Sequence, residues 1–221
     1  MAYRWNFQPV FENVDVLLIG AVGTLRLFVT CLVLGLALGL AVGLARYSKS
    51  RWLNAPAACF VELFRNTPTL VQILWFYYAL PVLLPFEISP LAAAVLGIAL
   101  NASAFFAEIY RGGIQSIERG QWEGAQALGM SHAQVMRRVV LPQALRRMLP
   151  AFTNRGIEIF KMTTLASAVA YVELLQQGKS LASLNFNPIE TYTAIAVVFF
   201  ICLFPLVQAT YAIERRLGRS D

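Results

Sequence analysis

Arg155, Glu158 and Lys161 recur at three-residue intervals in a largely apolar stretch, with Thr163 and Thr164 just beyond them. On a helix, residues three apart share a face, so Arg155 and Glu158 can pair while Lys161 stays on the same broad side. An ionisable group at membrane depth costs several kcal/mol unless it meets water or a partner, so this face cannot all look into lipid. Two readings follow. Lys161 and Thr163 line a path where the carboxylates of a passing solute are met, or the three charges form ion pairs that hold packing. A second polar set, Asn101, Ser103, Glu108 and Arg111, sits among Ala102, Ala104 and Ala107, a composition that favours close helix contact and interhelical hydrogen bonds. Glu108 has the chemistry to bind an ammonium group, but its spacing from Arg111 favours a structural pair. In a third set, Glu62 to Pro68, Pro68 removes an amide donor and disfavours helical geometry at Thr67. The expectation is a pore-lining break there, set against a helix that simply starts at Pro68 with Asn66 or Thr67 as its cap.

These groups are embedded in a chain of 221 residues with 58% apolar and only 14% charged side chains, far from the roughly 25% charge of soluble domains. The chain is an integral membrane protein. Five stretches reach the roughly 20 residues that a helix needs to cross about 30 Å of hydrocarbon: 17–45, 57–80, 91–111, 151–172 and 191–213. The first is too long for a signal-peptide core. Its Arg26 is expected to snorkel, with the segment before Thr24 lying at the interface. Gly35, Gly39 and Gly43 form a stripe that permits close helix approach. Cys31, Cys59 and Cys202 lack paired or metal-ligand spacing and read as packing residues.

Basic residues are unevenly shared. Arg46, Lys49 and Arg51 follow span one; Arg111, Arg119, Arg137, Arg138, Arg146 and Arg147 follow span three; Arg215, Arg216 and Arg219 follow span five. The other loops hold almost none, so the N-terminal segment 1–16 is expected outside and the tail 216–221 in the cytoplasm. The transmembrane domain then covers 17–215, with a cytoplasmic loop at 112–150.

In that loop, Trp122 to Leu128 reads as a short helix stopped by Gly129 in the left-handed conformation. Ser131 and Gln134 form a capping-box pattern that starts a second helix, which Pro142 should kink or end. The expected exposed surface comprises Ala125, Ala127, Leu128 and Met130, flanked by Glu123, Arg137 and Arg138. It reads as a docking surface, or as an amphipathic pair on anionic lipid. The pattern also mimics a DNA-reading helix-turn-helix, but both ends are tied closely to membrane spans, leaving no freedom to enter a groove, so no nucleic-acid partner is expected.

Glu123, Gly124, Ala125, Leu128 and Gly129, followed by Leu141 and Pro142, resemble the EAA loop of ABC importer permeases, and more narrowly the polar amino acid uptake family. The resemblance extends through VELFRNTPTLVQ at 61–72, NASAFFAEIYRGGIQS at 101–116 and LPQALRRMLP at 141–150. It implies an all-α type I fold with five transmembrane helices, a dimer with a sister permease or a second copy, and a coupling helix seated in each of a pair of ATP-binding subunits. It also implies an external amino acid binding protein and a place in the bacterial inner membrane. Gly124 stands where the motif usually has alanine, at roughly 0.5–1 kcal/mol of helix stability.

No G-x-x-x-x-G-K-[ST] loop occurs, so ATP and Mg are expected on partner chains and this chain is expected to be no enzyme, with no cofactor of its own. Glu123 is the candidate contact with the ATPase, or merely a first-turn acid. Candidates for coupling are Glu123, Gly124, Ala125, Leu128, Gly129 and Pro142; for the substrate path, Lys161, Glu158, Thr163, Asn101, Glu108 and Thr67. YVELLQQGKSL at 171–181 and VELFRN at 61–66 look most like glutamate/aspartate permeases. A basic or neutral polar substrate is the alternative, as is a secondary transporter or channel working without ATP, although no internal repeat supports that.

Overall fold

The computed structural model describes residues 3–217, and every regular element in them is helical. Helix α1 (Gln8–Glu12) precedes the long α2 (Val14–Tyr47), followed by α3 (Arg51–Asn66), α4 (Thr69–Leu74), a π-helical turn at Trp75–Ala79 and α5 (Leu80–Leu83). Next come α6 (Pro90–Gln115), α7 (Arg119–Ala127), α8 (His132–Val135), a second π-helical turn at Met136–Val140 and α9 (Leu141–Met162). A 3-10 segment (Thr163–Val169), α10 (Leu174–Asn185) and α11 (Pro188–Leu217) complete the chain. Arg219 and the tail beyond residue 217 lie outside the described residues.

Three of these helices, α2, α6 and α11, are long and apolar enough to cross a membrane. The stretch expected as span two is interrupted where a break is expected: Thr67 and Pro68 are extended, with ψ of 138° and 131°. The stretch expected as 151–172 begins ten residues earlier, at Leu141, and ends as α-helix at Met162. Beyond it the 3-10 segment stops at Ala170, which has a left-handed φ of 57°. That turn is held from outside itself. Tyr171 donates its hydroxyl to the Gly23 carbonyl at 3.2 Å, and the Leu174 amide donates to Thr24 Oγ1 at 3.0 Å. Thr24 is thus buried within a continuous α2, and no separate interfacial helix ends there.

Lipid tails are as apolar as leucine, so side-chain burial alone does not join these helices; close packing does. The stripe Gly35, Gly39 and Gly43 lies against α6. A Cβ at Gly35 would come within 2.9 Å of Ala102 Cβ, and one at Gly39 within 2.6 Å of Phe106 Cβ. Leu27, Cys31, Ile73, Ile98, Phe106 and Ile159 are fully buried where α2, α4, α6 and α9 meet. A second, smaller core of Ile114, Ala125, Val135, Val140, Ala144 and Met148 packs the loop between α6 and α9 against the facing ends of those two helices.

Both π-helical turns end two residues before a proline. The Leu80 amide reaches the Trp75 carbonyl ahead of Pro81, and the Leu141 amide reaches the Met136 carbonyl ahead of Pro142. A proline ring clashes with the carbonyl four residues back, and the widened turn relieves that clash. Pro142 therefore neither ends the helix nor breaks the path into α9: it sits in that helix's first turn.

Candidate functional site

The break at Thr67 and Pro68 frees carbonyls at the end of α3, and each needs a donor. Gln72 and Asn101 supply them. Gln72 Nε2 donates to the Phe64 carbonyl at 3.0 Å and to the Thr67 carbonyl at 3.1 Å, and also reaches Thr67 Oγ1. Asn101, on α6, donates from Nδ2 to the same Phe64 carbonyl at 2.6 Å. Its Oδ1 accepts from Arg155 Nη2 on α9, and Arg155 Nη1 donates to Glu158 at 2.7 Å. One hydrogen-bond chain therefore joins the break to α6 and α9.

Aromatic and charged groups extend it. The Arg155 guanidinium lies 3.9 Å from the centre of the Phe105 ring and that of Arg65 lies 5.0 Å from it. Arg65 in turn approaches Glu108 Oε2 at 4.0 Å. Glu108 is shared: Arg111 Nη2 donates to Oε2 at 2.6 Å, and Arg46 Nε donates to Oε1 at 3.3 Å. Three guanidiniums from α2, α3 and α6 gather on one carboxylate, which makes the structural reading of Glu108 the stronger one and adds Arg46 to it. Buried Gln72 Oε1 and Arg155 Nε keep unfilled hydrogen-bond capacity among the described residues.

Of the expected path residues, Asn101, Glu158 and Thr67 belong to this chain, and Glu108 connects through Arg65. Lys161 is exposed, one turn above Glu158. Thr163 does not face a path: it is fully buried and donates to the Phe160 carbonyl at 2.7 Å, as expected where an α-helix tightens into 3-10 geometry. Gln72, Phe105 and Arg46 were not singled out from sequence. The only signal for Gln72 was its position four residues beyond a proline break that needs donors.

The loop between α6 and α9 is built from local rules. Helix α7 ends in a Schellman motif: the Met130 amide donates to the Ala125 carbonyl at 3.3 Å, the Gly129 amide donates to the Gln126 carbonyl at 2.9 Å, and Gly129 has a φ of 76°. The Ser131 amide donates to Gln134 Oε1 at 2.8 Å and the Gln134 amide donates back to Ser131 Oγ at 3.4 Å. Glu123, Gly124, Leu128, Gly129 and Pro142 are exposed, Leu128 by 83%. Ala125 is the exception. It is buried in the loop's own core and so takes no part in the exposed surface. Arg147 donates to the Ser116 carbonyl, fastening the loop across its base.

Comparison with known proteins agrees with this architecture. Residues 35–219 match the family described as binding-protein-dependent transport system inner membrane component. The glutamine transport system permease protein of Escherichia coli is 37% identical over 215 residues, covering 97% of this chain and 98% of the relative. The octopine transport system permease protein of Rhizobium meliloti is 35% identical over 229 residues, covering 96% and 94%. The L-cystine transport system permease protein of Bacillus subtilis is 35% identical over 215 residues, covering 97% and 89%. Among solved structures, an amino acid ABC transporter crystallised with histidines superposes with a TM-score of 0.91 at 31% identity, covering 97% of this chain and 100% of that one. A methionine ABC transporter in an inward-facing conformation shares the fold, with a TM-score of 0.74 at 24% identity over 91% and 96%. With its membrane helices and an exposed loop helix between α6 and α9, this chain belongs to the binding-protein-dependent transport system inner membrane component family and is a permease subunit of an amino acid ABC transporter, not an enzyme.

Proposed function

We propose that this permease forms half of an amino acid import path across the bacterial inner membrane, with five crossings made by α2, the broken α3 to α5 segment, α6, α9 and α11. The uneven share of basic residues supports an outer N-terminus and a cytoplasmic C-terminus. A second permease completes the path, a pair of separate ATP-binding subunits holds ATP and Mg, and an external binding protein delivers the substrate. The observation that carries this reading is the continuity of α9: its 22 residues run from Leu141, at the base of the α7 loop, to Met162, and carry Arg155, Glu158 and Lys161. Closure of the ATPase pair on α7 then tilts this helix, which passes through Pro150 without a break in its helical run, and its other end lines the path. In membrane vesicles with the partner subunits, Leu128→Asp tests this: ATP-driven uptake is lost while the permease stays inserted. Full uptake in that variant would exclude α7 as the coupling element.

For the substrate, we propose an acidic amino acid, glutamate or aspartate. Support comes from the exposed Lys161, whose ammonium makes no hydrogen bond among the described residues, beyond the paired Arg155 and Glu158. The 37% identity to a glutamine permease supports glutamine as the second reading. Competition among labelled glutamate, aspartate, glutamine and arginine in the reconstituted importer separates them. Preference for glutamine over glutamate assigns the second reading.

A further inference from the structure

A groove runs between α2 and α11, with Phe160 of α9 in its wall. Its upper part, a cavity of 410 Å³, is bounded by Phe11, Leu18 and Val197. Its lower part, of 400 Å³, is bounded by Leu25, Phe199 and Leu206. Ala21, Leu174 and Val198 line both, so the two are continuous. From Thr193 to Leu206 the groove follows α11 for about 20 Å at 1.5 Å per residue. One leaflet of hydrocarbon is about 15 Å deep, so the groove has the length of a single acyl chain that starts at the interface.

The upper end carries a polar strap. Glu190, at the start of α11, accepts from the Tyr3 hydroxyl at 2.7 Å and from the Asn6 amide at 2.8 Å, which fixes the segment before α1 over the end of the groove. Trp5 lies in that segment, 5.6 Å from Tyr3 on one side and from Phe7 on the other. Amphipathic rings of this kind settle at headgroup level. Arg4 is exposed on the strap, while Glu12 and Asp15 are exposed beside the lining residues Phe11 and Val14. A cation and two carboxylates complement a headgroup that has both a phosphate and an ammonium.

We propose that this groove is a binding site for one zwitterionic phospholipid, its acyl chain lying between α2 and α11 and its phosphoethanolamine headgroup under the strap of residues 3–7. The lipid comes from the outer leaflet if the orientation proposed above holds; occupancy of the groove does not depend on that orientation.

The test uses the assembled importer in nanodiscs of mixed phosphatidylethanolamine and phosphatidylglycerol, released into mild detergent for native mass spectrometry. Wild type should retain one phosphatidylethanolamine per permease. The double variant Ala21→Phe with Val198→Phe, which fills the junction of the two cavities, should lower that retention about tenfold. Val33→Phe, on an exposed apolar position of α2, should leave it unchanged. Because the double variant is at risk of misfolding, wild type is also labelled with a phosphatidylethanolamine carrying a photoreactive acyl chain. Label should concentrate on the Ala21–Leu25 and Val198–Leu206 segments. Equal labelling around Val33 and Leu40, preferential retention of phosphatidylglycerol, or cross-links from Cys202 to a second permease would each overturn the assignment.

Discussion

Arg155 and Asn101 are joined by a buried hydrogen bond between α9 and α6, from Nη2 to Oδ1 across 54 positions of sequence. The same Asn101 side chain donates to the Phe64 carbonyl at the α3 break. The amide thus ties three helices, α3, α6 and α9.

Replacing Asn101 by alanine leaves Arg155 without one acceptor and the Phe64 carbonyl with Gln72 alone. The expected cost is about 1–3 kcal/mol of stability, the penalty for a buried polar group losing its partner. Denaturant unfolding of the purified permease measures it. Wild-type stability would mean that the break is held by Gln72 alone.

The glycine stripe gives a paired prediction. Gly39→Leu forces atoms against Phe106 Cβ and the Ser103 carbonyl, within 2.6 and 2.9 Å of the first added carbon. It should destabilise by about 1–3 kcal/mol or more and reduce the folded yield. Gly112→Ala, with nothing within 4 Å of its added carbon, should be tolerated. Comparing the two by fluorescence-detected size exclusion isolates packing from helix propensity.

Glu108→Ala removes the one carboxylate between Arg46, Arg65 and Arg111 and leaves mutually repelling guanidiniums in a half-buried place. A loss of about 3 kcal/mol is expected, larger than for an exposed pair. Adding Arg46→Gln should recover part of it. A double-mutant cycle on thermal unfolding provides the number, and strict additivity would dissolve the proposed cluster.

Gly129→Ala places a β-carbon in a left-handed conformation, at about 1–2 kcal/mol. The α7 loop should loosen, giving faster amide exchange at Met130 and Ser131 and weaker retention of the ATP-binding subunits. Exchange mass spectrometry reads the first and co-purification the second.

If Lys161 meets a second substrate carboxylate, Lys161→Gln should raise the KM for glutamate about tenfold, a difference of about 1.4 kcal/mol, and change that for glutamine little. Uptake kinetics in proteoliposomes distinguish this from a structural role, which would impair uptake of glutamate and glutamine equally.

Much of this molecule follows from sequence because its causes are local. Apolar run lengths place α2, α6 and α11, Gly129 stops α7, Ser131 and Gln134 cap α8, and Pro68 breaks α3. Each depends on residues within a turn or two of one another. The tertiary structure decided what those local rules leave open. It turned Ala125 and Thr163 inward, held the turn beyond the 3-10 segment through contacts of Tyr171 and Leu174 with α2, and chose Gln72 and Asn101 as donors for the broken α3. A freed carbonyl announces that a donor is needed. Which donor arrives is set by helices packed from distant parts of the chain.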